Sequence, residues 1–91
     1  MKILETEGFK NKVLNQVDYI AQDKPKGARK FQKELKASLK KLIKMPFRNR
    51  RSIYFKDENI RDLIFKGYTI TYLIKPESII VFGFKKNQQA P

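Results

Sequence analysis

Apolar positions recur at helical spacing in the first half of this chain and at strand spacing in the second. Phe9, Val13, Leu14, Val17, Ile20 and Ala21 share one side of a helical wheel, with Lys10, Lys12, Gln16 and Asp18 on the other. This spacing predicts an amphipathic helix over about residues 8–22. Asp23-Lys24-Pro25-Lys26-Gly27 interrupts it. Proline cannot continue that helix but suits the first turn of the next, where its missing N–H costs no hydrogen bond. A second apolar stripe, Ala28, Phe31, Leu35, Leu39, Leu42 and Ile43, predicts a helix over about residues 25–45. Pro46 ends it, because the residue before a proline is biased out of the helical region. Two amphipathic helices with so short a break form an αα-hairpin. Ahead of them, Ile3 and Leu4 suit a short opening strand.

After an irregular stretch over 46–59 the period becomes that of a sheet. Ile60 to Phe65 reads as one strand, and Lys66-Gly67 as a tight turn in which glycine supplies the positive φ that hairpins need. Tyr68 to Ile74 is rich in Tyr, Ile and Thr, which fit a pleated surface. Lys75-Pro76-Glu77-Ser78 is a turn. Ile79 to Phe84 is a last strand whose unbroken apolar run predicts burial on both faces, with Gly83 marking a bulge or a close contact. Residues 85–91 form a polar tail. The predicted fold is α+β: an N-terminal short strand, an α-helical hairpin, then a three-stranded antiparallel sheet, packed as two layers in a single domain over 1–91.

Charge adds the strongest functional hint. The net charge is +12 over 91 residues. From Lys24 to Lys56 there are nine Lys and four Arg against Glu34 alone, so this third of the chain carries the whole excess. Such a patch suits nucleic acid, a phosphate-rich assembly or an acidic protein. The sequence has neither cysteine nor histidine. Disulfides, thiolate chemistry, zinc sites built on Cys or His, and nucleophilic triads are thereby excluded. The glycines, at 8, 27, 67 and 83, form no phosphate loop. No metal, small-molecule cofactor or membrane span is expected, and the chain reads as cytoplasmic.

The order of elements, with a set of signposts, resembles the RelE/ParE toxin superfamily of type II toxin–antitoxin systems. The signposts are Ala28, Phe31 and Leu35 in the second helix, then Leu42 with Pro46 at its end. Ile60-Arg61-Asp62-Leu63 resembles the family's R-x-L strand, and Gly67-Tyr68-Thr69-Ile70-Thr71-Tyr72 its G-Y-R-x-x-Y hairpin. Arg51-Ser52-Ile53-Tyr54-Phe55 followed by Ile60 to Tyr72 looks most like the ParE side. The resemblance implies a growth-inhibiting toxin neutralised by a cognate acidic antitoxin. Its target would be DNA gyrase, inhibited by binding, or the ribosome, where RelE-like members cleave mRNA. The charge alone also allows a nucleic-acid-binding domain without toxicity.

The resemblance also says where a nuclease would fail. The family's hairpin arginine falls on Thr69, and the strand positions that carry lysine in cleaving members fall near Ile60 and Asp62, where an acid repels phosphate. A substitute ribonuclease centre would need Arg61, Tyr68, Lys85 and Lys86. The reading that a protein-binding inhibitor demands places contacts on Arg48, Arg50, Arg51, Arg61, Lys66, Tyr68, Lys85 and Lys86. Loop arginines suit that role, since loops carry binding residues and guanidinium groups read carboxylate and phosphate. Arg61 has two readings, a solvent-facing contact or a pair with Asp62 or Glu58. For Tyr72, strand packing is favoured over partner contact. The helix-two lysines read as solvated individually and as steering charges collectively.

Overall fold

The computed structural model describes residues 1–87. Six elements follow in order: β1 (Lys2–Glu5), α1 (Glu7–Asp23), α2 (Pro25–Lys41), β2 (Ile60–Phe65), β3 (Tyr68–Ile74) and β4 (Ser78–Lys86). The four strands form one mixed sheet in the order β1-β4-β3-β2. β2, β3 and β4 are the predicted antiparallel meander. β1 joins it in parallel at the far edge, Ile3 opposite Ile79, so the opening strand extends the sheet. The helical hairpin covers one sheet face.

Local chemistry explains the helix ends. The Thr6 side chain accepts a hydrogen bond from the Phe9 amide at 3.2 Å, capping α1, and Glu7 in the first turn complements its dipole. Lys24 separates the helices, and Pro25 opens α2. α2 stops at Lys41 rather than near 45. The amides of Leu42, Ile43 and Lys44 reach back three residues, to Leu39, Lys40 and Lys41. The helix thus tightens into turns before Pro46, whose predecessor is kept out of the helical region.

The core lies between hairpin and sheet. Phe31 of α2 meets Phe65 and Tyr68 edge-on, with ring centroids 5.4 and 5.7 Å away. Phe9 of α1 meets Phe84 edge-on at 6.0 Å, and Tyr68 stacks on Phe84 at 4.7 Å. Phe9, Ile70, Tyr72, Ile79 and Val81 are wholly buried. The β2–β3 turn has positive φ at both Lys66 and Gly67 (46° and 84°), the twist that suits a two-residue hairpin.

One expectation about burial is corrected. β4 alternates, with Ile80 and Phe82 half-buried on the outer face. β3 is the strand buried on both faces, Thr69 and Thr71 included. The reason is coverage: the irregular segment after α2 folds back over the outer side of β3. Gly83 is both things the sequence suggested. The β3–β4 register shifts between Thr71 and Tyr72, and a Cβ on Gly83 would stand 2.9 Å from the Thr71 Cβ. Of the expected polar tail 85–91, Lys85 and Lys86 end β4, Asn87 follows it, and 88–91 lie outside the described residues.

Candidate partner-binding surface

Residues 46–59 form a strap fixed at several points by side chains of the sheet. Its first anchor is Tyr72. The hydroxyl donates to the Pro46 carbonyl at 2.6 Å and accepts from the Asn49 side chain at 3.1 Å. Burial holds this phenol above its usual pKa, although the Asn49 bond and the Arg61 charge act the other way. The hydroxyl therefore keeps its proton and remains a donor at neutral pH. Tyr72 packs in the core, as favoured from sequence, and pins the strap as well.

Arg61 is the second anchor. Its Nε donates to the Glu58 carbonyl at 2.8 Å and a terminal nitrogen donates to the Asn49 carbonyl at 3.1 Å. The guanidinium lies 5.0 Å from the Phe47 ring centroid. It is paired neither with Asp62 nor with the Glu58 carboxylate. Two of its N–H donors hold the strap's own backbone.

The third anchor is a backbone bridge between Arg51 and Arg61. The Ser52 amide donates to the Ile60 carbonyl at 2.8 Å and the Asp62 amide to the Arg50 carbonyl at 3.1 Å, covering part of the β2 edge. Beside it Asp62, with its side chain fully buried, faces Arg50 at 3.6 Å and accepts from the Thr71 hydroxyl at 2.9 Å. A buried carboxylate is tolerated only with such partners.

Past Ser52 the strap crosses the outer sheet face. Phe55 meets Phe82 edge-on at 5.6 Å, and the Lys85 ammonium lies 5.0 Å from the Tyr54 ring centroid. Ile53, Tyr54 and Phe55 are 68%, 53% and 44% exposed, and nearby Ile64 is 52% exposed. Arg50, Ile53, Tyr54, Ile64, Thr69 and Lys85 line an open cleft of about 510 Å³. Apolar rings rimmed by cations make an anchor-and-rim surface, the anatomy of protein interfaces.

The sequence-chosen residues divide accordingly. Arg50 and Lys85 meet at this cleft, and Arg51 is exposed beside them on the strap. Arg48 lies around the corner, lining a groove of about 420 Å³ with Lys41, Lys44 and Met45. Lys66 is held by Glu34 of α2. Tyr68 is buried in the core, and burial pushes its phenol pKa up. Lys86 is exposed opposite Tyr68, on the other side of β4 from Lys85. Arg61 faces Tyr72, four residues along β3 from Tyr68, or about 13 Å at strand rise. The four residues of a substitute ribonuclease centre are thus spread along the sheet and over both its faces. The sequence reading missed Ile53, Tyr54 and Phe55. The available signal was three consecutive large apolar residues inside a basic loop, a pattern that solvent tolerates only for a purpose.

The chain is thus a small α+β domain, a helical hairpin laid on a mixed four-stranded sheet with a basic strap across the other face. A sequence profile described as the ParE toxin of the type II toxin–antitoxin system parDE matches residues 3–91. The chain belongs to that family. Among solved structures, a chain described as the chromosomal ParDE TA system from P. aeruginosa superposes with a TM-score of 0.78 at 13% identity, covering 97% of each chain. At that identity the likeness concerns the fold. No curated protein sequence matches.

Proposed function

We propose that this ParE-family toxin arrests growth by binding DNA gyrase, not by cutting RNA, and that a cognate acidic antitoxin neutralises it in the cytoplasm. The observation that supports the reading is the dispersal of the nuclease candidates, with Lys85 and Lys86 on opposite faces of the sheet and the other two engaged elsewhere. Arg61 is tied to strap carbonyls. Tyr68 is a core residue with a raised pKa, which makes it a poor general base at neutral pH. Asp62 stands where a cleaving relative would hold a cation. The strap offers instead Tyr54 and Phe55 as apolar anchors, with Arg50, Arg51 and Lys85 around them.

The antitoxin has room elsewhere. β1 is an edge of the sheet that the strap leaves uncovered, and an acidic segment that orders on binding can pair with it. A supercoiling assay with purified gyrase tests the target. Inhibition at stoichiometric toxin is expected, and undiminished supercoiling at large molar excess would contradict it. Primer extension on mRNA after induction tests the rival: discrete cuts within codons would assign the ribosome.

A further inference from the structure

Arg29, Lys33, Lys36 and Lys40 follow one another along α2 at intervals of four, three and four residues. At 100° per residue this keeps them within an arc of about 60°, and at 1.5 Å per residue the stripe runs for about 16 Å. All four are exposed. Among the described residues none has a carboxylate partner. The one acid of α2, Glu34, is taken by Lys30 and Lys66. Glu5 lines a groove beside Lys36 and Lys40 without forming an ion pair with either.

What the stripe lacks decides what it fits. No large apolar residue of α2 is exposed. Protein interfaces place aromatic or aliphatic anchors at their centres and are depleted of lysine there; the stripe has no such anchor along its length, the nearest large exposed aliphatic in sequence, Ile43, lying past the end of α2. A phosphate backbone needs no such anchor. It offers one charge per roughly 3.4 Å of axis along each strand, about five over the length of the stripe, and its affinity comes from counterion release.

We propose that the α2 stripe is a sequence-independent contact for the phosphate backbone of duplex DNA, on a different layer of the domain from the strap. A toxin so built would hold the DNA segment that its target handles while the strap holds protein. The contact is a property of the chain by itself and stands whether or not gyrase is the target.

Fluorescence anisotropy of the whole chain on a labelled duplex of arbitrary sequence, between about 50 and 200 mM salt, tests it. Wild type should bind with a steep fall in affinity as salt rises. The combined variant R29Q/K33Q/K36Q/K40Q should flatten the log–log slope by about 3.6, and each single variant by about 0.9. A thermal melt confirms that the variants are folded. Lys75→Gln, at an exposed cation of the β3–β4 turn, should bind DNA with the slope of wild type. The assignment is overturned if wild type shows no binding at the lowest salt, or if the combined variant changes the slope by less than about 1. It is also overturned if poly-glutamate of matched charge binds as tightly as DNA through the same four residues, which would make the stripe a general site for acidic chains.

Discussion

The strap and the outer face of α2 are both rich in cations, yet they are built in opposite ways. Around the strap several cations are engaged. Arg61 of β2 holds two strap carbonyls, Arg50 faces a buried carboxylate, and Lys85 of β4 lies against Tyr54. Between them, rings are left facing water. On α2 the stripe cations are free and no ring accompanies them. The difference shows that positive charge alone does not specify a partner. The company it keeps matters: apolar anchors suit a protein partner, and a bare periodic stripe suits phosphate.

Phe31→Ala would erase the comparison altogether. Phe31 docks α2 onto Phe65 and Tyr68, and its truncation should cost about 3–5 kcal/mol, read by denaturant unfolding. Arg61→Ala should separate the two regions. It removes the hydrogen bonds to the carbonyls of Glu58, which is open to water, and of Asn49, at about 0.5–1.5 kcal/mol. Hydrogen exchange should quicken in 46–59 and stay unchanged in α2; equal quickening in both would show that the strap is no independent unit. Tyr72→Phe removes only the hydroxyl that joins Pro46 and Asn49, and about 1 kcal/mol of stability is expected to go with it.

The smallest effect belongs to the pair between Lys66 and Glu34. The hydrogen bond from Lys66 holds the Glu34 carboxyl below its usual pKa, ahead of the charges of Lys66 and Lys30 and against partial desolvation. A carboxyl lowered in the folded state stabilises above its unfolded pKa, and that contribution is lost as pH falls through the folded one. Glu34→Gln should therefore alter the melting temperature slightly at neutral pH and not at all in strong acid. A larger shift in acid than at neutrality would reverse the assignment.

Periodicity made the helices and the meander legible. Phe9 to Ala21 and Ala28 to Leu42 have one stripe each, although Leu14 and Ile43, counted in those stripes from sequence, are exposed and Ile43 lies past the end of α2; Lys66-Gly67 can hardly be read as anything but a turn. The parallel pairing of β1 was not legible, because Ile3 and Leu4 carry no mark of which strand they will join. Nor was the strap. Residues 46–59 have no period, and their path is set by contacts remote in sequence, Tyr72 with Pro46 and Arg61 with Asn49. For the same reason Arg61 read equally well as a contact or as a surface pair, and turned out to bind its own backbone. The lysine stripe was visible in sequence, but the absence of a large exposed apolar residue within α2 became clear only from the burial of Phe31, Leu35 and Leu39.

The central claim is that aromatic anchors of the strap grip the target and the nuclease candidates do not act. Supercoiling by purified gyrase, titrated with wild type and with the doubly substituted Y54A/F55A, tests it most directly. Tyr54 and Phe55 are 53% and 44% exposed and lie outside the core, so the variant should stay folded, which a thermal melt checks. The account predicts potent inhibition by wild type and at least about a tenfold loss, a factor worth about 1.4 kcal/mol, in the variant. Inhibition of equal potency by the two proteins would contradict it.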